Sequence, residues 1–143
     1  MKYNPKFKIW LDQKVLIAKV QGSWNQQDAE DFAREFKVVV SPLLDHDWAS
    51  VILLDNWQLG VPGIEPIIKD LVSWKISRGL LYSAHVYWPS IVKEFQLERM
   101  VQNVKGRFEM QTFKQPEEAF DWLARKGFTT DNQQNLVIDE QFL

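Results

Sequence analysis

Apolar and polar positions in this chain follow patterns that change from segment to segment. Val51-Ile52-Leu53-Leu54 runs without a polar interruption and then meets Asp55. The run is short and opens on two β-branched residues, which favours a strand over a helix. A strand that does not alternate is covered on both faces, as in the middle of a parallel or mixed sheet with helices on each side.

The flanking patterns agree. Phe7-Lys8-Ile9-Trp10-Leu11 alternates like an edge strand. Asp12-Gln13-Lys14 is a polar turn, and Val15 to Val20 is a second strand, so the two read as a hairpin. Gly22 ends it. Asn25, with Asp28 in capping-box position, starts a helix over about Gln26 to Val40. Its buried face carries Ala29, Phe32, Phe36, Val39 and Val40. After the central strand comes a loop, Asn56 to Gly63. A second helix follows, with Ile64, Ile67, Ile68, Leu71, Val72 and Lys75 along one stripe, and it stops before Gly79. Leu80 to Tyr87 is the fourth strand. A third helix, capped by Ser90, carries Ile91, Val92, Phe95, Met100 and Val101. Arg107 to Phe113 alternates as the fifth strand. Gln115-Pro116-Glu117-Glu118 opens a last helix that runs to Gly127. Leu136-Val137-Ile138 suggests a short extended arm. The order is β-β-α-β-α-β-α-β-α: a mixed, mostly parallel five-stranded α/β sheet with an N-terminal hairpin and four helices. We expect one domain over residues 1–143, with a core from about 7 to 127 and a C-terminal extension over 128–143.

Composition narrows function by exclusion. A chain of 143 residues can bury a core without staples. With no cysteine, disulfides and thiolate metal sites are ruled out. A net charge of -2 offers no broad basic field for nucleic acid. No stretch approaches the roughly 18–20 apolar residues of a membrane span, so a cytoplasmic protein is expected. Lys69, Lys75, Arg78, Lys93, Arg99, Lys105 and Arg107 are interleaved with acids and read as solvated helix faces.

The element order resembles the STAS-like superfamily, the anti-sigma-factor antagonists and their kin. So do Gly22 before a polar helix start, Val51-Ile52-Leu53-Leu54-Asp55 before a glycine-bearing loop, and Glu117-Glu118-Ala119-Phe120-Asp121-Trp122-Leu123. The last resembles the terminal helix of the SpoIIAA-like single-domain branch. The resemblance spans about Val15 to Gly127 and implies a SpoIIAA-like fold. The superfamily's phosphorylatable serine has no counterpart here, because Gly60-Val61-Pro62-Gly63-Ile64 contains no hydroxyl side chain. In that superfamily, partner contacts lie at the edge where the parallel strands end.

Candidate chemistry is sparse. Asp45-His46-Asp47 reads as a surface turn rather than a metal site, and His85 within its strand reads as a satisfied structural histidine. Asp55 stands where open α/β sheets bind ligands, outside a strand's carboxyl end, although accepting loop amides is the simpler role. Gly60-Val61-Pro62-Gly63 is neither a P-loop nor a dinucleotide fingerprint. The aromatic residues are the stronger signal. Trp24, Trp57, Tyr87, Trp88 and Phe113 follow the carboxyl ends of the four central strands, either capping the core or lining a site. The leading expectation is a non-enzymatic domain binding a protein partner or a small apolar ligand at this edge. The site would use Ser23, Trp24, Asp55, Trp57, Gly63, Tyr87, Trp88 and Phe113, with no metal or cofactor and no nucleic acid. The rivals are an enzyme using Asp55 with His85, and a structural homodimer.

Because no serine, threonine or tyrosine occurs from Asn56 to Ile68, incubation with cell extract and ATP should leave this segment unmodified. Peptide mapping that found a stoichiometric phosphate there would refute the expectation.

Overall fold

The computed structural model describes residues 6–58, 62–88 and 108–131. Within them, strands β1 (Phe7–Asp12), β2 (Val15–Val20), β3 (Trp48–Leu53), β4 (Leu80–Val86) and β5 (Glu109–Phe113) form one sheet in the order β1-β2-β3-β4-β5. The β1–β2 pair is antiparallel and every other pair is parallel. Helices α1 (Gln26–Val40), α2 (Glu65–Ser77) and α3 (Pro116–Arg125), with short 3-10 turns at Ser41–Leu43 and Pro62–Ile64, complete the described elements. The expected helix around Ile91 to Val101, the loop residues Gly60 and Val61, and the arm at Leu136-Val137-Ile138 lie outside the described residues.

Side-chain alternation divides the core into two layers. Leu16, Ala18 and Val20 of β2, with Trp48 and Ile52 of β3, face α1 and α2. Val15, Ile17, Ala49, Val51, Ala84 and Val86 face α3, which supplies Ala119, Phe120, Trp122 and Leu123. The central strand starts earlier than its apolar run suggests, at Trp48, and takes in a buried Ser50. That is tolerated because the Ser50 and Ser83 hydroxyls pair across β3 and β4 at 2.9 Å. Asp55 falls past the strand's end, in the following turn.

The helix start expected at Asn25 is present as a reciprocal capping box with Asp28: the Asp28 amide donates to Asn25 Oδ1, and the Asn25 amide to Asp28 Oδ2, each at 2.9 Å. Helix α2 ends on a tight passage. Gly79 has φ +110°, and a Cβ there would lie 2.0 Å from the His46 carbonyl oxygen. Asp45 closes the same corner, accepting from Arg78 at 2.8 and 3.0 Å.

Gly127 is a natural control, since it also has positive φ (+95°) but nothing lies within 4 Å of an added Cβ. Gly127→Ala should cost only the backbone strain, about 1–2 kcal/mol. Gly79→Ala should cost at least twice as much, because the clash is with backbone. Equal urea midpoints for the two variants would contradict the close approach at Gly79.

Candidate functional site

A cavity of about 60 Å³ lies on the α1/α2 side of the sheet, near the carboxyl ends of β2, β3 and β4. The sequence builds it from four directions. The sheet supplies Val20, Ile52 and Leu54 as its floor, together with His85. Helix α1 contributes Phe32, and α2 contributes Ile68, Leu71, Val72 and Lys75. Trp24 and Trp57 form an aromatic wall, their rings 5.9 Å apart and nearly perpendicular.

Backbone bonds hold that wall. Gly22 sits at φ +76° and bridges to the segment carrying Trp57. Its amide donates to the Asn56 carbonyl, and the Gln58 amide donates to the Gly22 carbonyl, both at 3.0 Å. The indole N–H of Trp24 donates to the Gln21 carbonyl at 3.0 Å. The indole nitrogen of Trp57 is buried and has no hydrogen-bond partner among the described residues.

Two polar side chains line the otherwise apolar cavity, and neither has the environment expected for it. Lys75 was expected on a solvated helix face but is only 6% exposed. It falls in the stripe with Leu71 and Val72, and the helical period carries it inward with them. Its ammonium lies 4.7 Å from the centre of the Phe36 ring, and among the described residues it has no carboxylate partner. Burial pulls its pKa down to about 8. His85 is 6% exposed, and its Nδ1 has no hydrogen-bond partner among the described residues. The expectation of a satisfied structural histidine therefore fails for that atom. Burial, helped by the neighbouring Lys75 charge, holds its pKa at about 3, so the ring is neutral near pH 7.

The other expected site residues are dispersed. Tyr87 is buried in the α1/α2 layer, whereas Phe113 packs in the opposite layer, 5.6 Å from the Trp122 ring. Trp88 is 64% exposed, with the Lys114 ammonium 5.5 Å from its ring centre. Asp55 takes the simpler role, its carboxylate accepting from the Trp88 amide at 2.6 Å. Ser23 and Gly63 are exposed; the Ser23 carbonyl accepts from Lys6 at 2.6 Å. Of the expected residues, Trp24 and Trp57 line the cavity, and Asp55 does not meet His85 there. Sequence reasoning missed Lys75 as a site residue. The available signal was a lysine continuing an apolar helical stripe.

No protein-family model matches the chain, and no curated protein matches it. Solved structures do. A DUF3478-family protein with a SpoIIAA-like fold from Shewanella loihica PV-4 is 15% identical, with a TM-score of 0.61 over 82% of this chain and 91% of that one. The anti-sigma factor antagonist SpoIIAA in its unphosphorylated form is 7% identical, with a TM-score of 0.55 over 82% of this chain and 97% of that one. The phosphorylated form of SpoIIAA, the Bacillus cell fate determinant, is 13% identical, with a TM-score of 0.52 over 82% and 98%. The fold is therefore SpoIIAA-like, a mixed and mostly parallel sheet with an N-terminal hairpin. At these identities the likeness concerns fold alone. Among the described residues no helix is long and apolar enough to cross a membrane.

Both buried bases lower stability on the acid side of their titrations. The unfolded chain binds more protons than the native one from about pH 3 to 6.5 through His85, and from about pH 8 to 10.5 through Lys75. Stability should therefore rise with pH across both windows. Lys75→Met should remove the upper rise and stabilise the protein at pH 7 by on the order of 3 kcal/mol, the free-energy equivalent of the Lys75 shift. Urea unfolding of both proteins at pH 7 and pH 10.5 measures this. A less stable variant at pH 7 would show that the ammonium is compensated in the native state.

Proposed function

We propose that this chain is a non-enzymatic binding domain that holds a small apolar ligand in the cavity at the carboxyl ends of β2, β3 and β4. The supporting observation is the cavity itself, with Trp24 and Trp57 as one wall and aliphatic side chains over most of the rest. Ligand sites in open α/β sheets favour this end of the strands. Large flat rings with few rotamers supply contact area at low entropic cost. The phosphoserine device is not needed for this role, and the loop before α2 has no hydroxyl to carry it.

A second reading rests on Trp88. It is exposed, backed by Asp55 through its amide and flanked by Lys114. Exposed tryptophans of this kind anchor protein partners. The two readings use different residues and separate cleanly.

Hexan-1-ol serves as a neutral apolar probe. Calorimetric titration should show saturable binding to the wild-type protein. Val72→Phe, which fills the cavity, should weaken it at least tenfold while circular dichroism shows an intact fold. Trp88→Ala should leave it unchanged. Loss of binding in Trp88→Ala, with none in Val72→Phe, would move the site from the cavity to the surface.

A further inference from the structure

Lys75 and His85 are the titratable groups among the described residues that line the cavity, and every other lining side chain is apolar or aromatic. An ammonium buried to this degree is normally paired with a carboxylate. Here the Phe36 ring is its neighbour, and a cation–π contact offsets about 0.5–2 kcal/mol. That is less than the cost of burying a charge. The His85 Nδ1 and the Trp57 indole nitrogen, buried in the same lining, also lack hydrogen-bond partners among the described residues. One cavity thus holds a cation without an anion and a donor, the indole N–H, without an acceptor. A neutral imidazole can donate from whichever nitrogen carries its proton.

We propose that the cavity binds the carboxylate of a small apolar acid, with Lys75 as counter-ion, Trp57 and His85 as neutral donors, and the apolar tail against Trp24, Ile52 and Leu54. This rests on the cavity being the binding site and adds the charge of its ligand. The volume takes the head of a short chain: about 60 Å³ holds roughly four to six water-sized groups, given the ~10–15 Å³ that one water needs, so the end of a tail such as that of hexanoate extends through the cavity mouth. Charge explains the lysine where a neutral ligand would not. An uncharged molecule would leave the ammonium as poorly compensated as before, whereas a carboxylate meets it in a site of low dielectric, where the attraction is strong. At neutral pH the ammonium is mostly protonated, so the ligand finds the cation already formed.

The test compares hexanoate with hexan-1-ol, which share a chain and differ in charge. At pH 7 hexanoate should bind wild type at least tenfold more tightly than hexan-1-ol. Lys75→Met should abolish that preference. Raising the pH to 10 should weaken hexanoate at least tenfold in wild type and hardly at all in Lys75→Met. The 13C resonance of the Lys75 ε-carbon gives an independent readout. Its titration midpoint should rise by one unit or more when hexanoate saturates the site, the linkage counterpart of a tenfold preference for the charged form. A lysine with a merely structural role would show no such rise. Equal binding of the two probes, or an unmoved midpoint, overturns the anion and leaves the cavity as a neutral site. Failure of both probes to bind overturns the anion and the cavity together.

Discussion

Strand β3 is covered on both faces, and that constraint governs the rest of the molecule. Water does not reach its flanks, so any polar atom there must find its partner within the protein or lower the stability of the fold. Ser50 and Ser83 obey by pairing with each other. The strand backbones obey through the parallel ladders to β2 and β4. Among the described residues the His85 Nδ1 and the Trp57 indole nitrogen do not, and both line one cavity beside the end of this strand, together with Lys75, whose ammonium has no carboxylate partner there. The Trp10 indole nitrogen is likewise buried without a hydrogen-bond partner among the described residues, away from the cavity, so what sets the cavity apart is that several such groups share one lining.

The two layers differ. On the α3 side, Phe120, Trp122 and Leu123 close over Val15, Val51 and Val86. On the α1/α2 side, aromatic residues run from Phe7 through Trp24 and Phe32 to Phe36 and Trp48, each ring in contact with the next. The cavity interrupts this second layer where α1, α2 and the Trp57 segment meet the sheet. The site is thus built on secondary structure that the core already holds rigid, with Trp57 fastened to Gly22 by two backbone bonds.

Much of this was legible in the sequence. Helix α1 was readable from Asn25, Asp28 and the spacing of Phe32 and Phe36, because capping and period act over a few residues and need no tertiary partner. The unbroken run at Val51 located the central strand, though not its start: Ser50 looks polar until Ser83 is known to lie opposite. The five aromatic residues after the strand ends were visible, but not their fates. Which face a ring takes depends on pleat and register, so Tyr87 and Phe113, on neighbouring strand ends, went to opposite layers. Lys75 was misjudged because charge argued for solvent while the helical period argued for the core, and the period won. That His85 would reach the same cavity follows from strand pairing, which a single sequence does not reveal.

The Asp55 carboxylate joins the turn after β3 to the backbone just beyond β4, where the Tyr87 amide in turn reaches the Phe113 carbonyl of β5. Gly22, beyond β2, is tied to Asn56 and Gln58 on the other side. Four successive strand exits are therefore stitched in series, like links of one chain. A loop that swung outward alone would break bonds with its neighbour. The amide protons of Gly22, Gln58, Tyr87 and Trp88 each sit in a bond that crosses from one exit to the next, so hydrogen exchange at these four positions reads the exits through the bonds that join them.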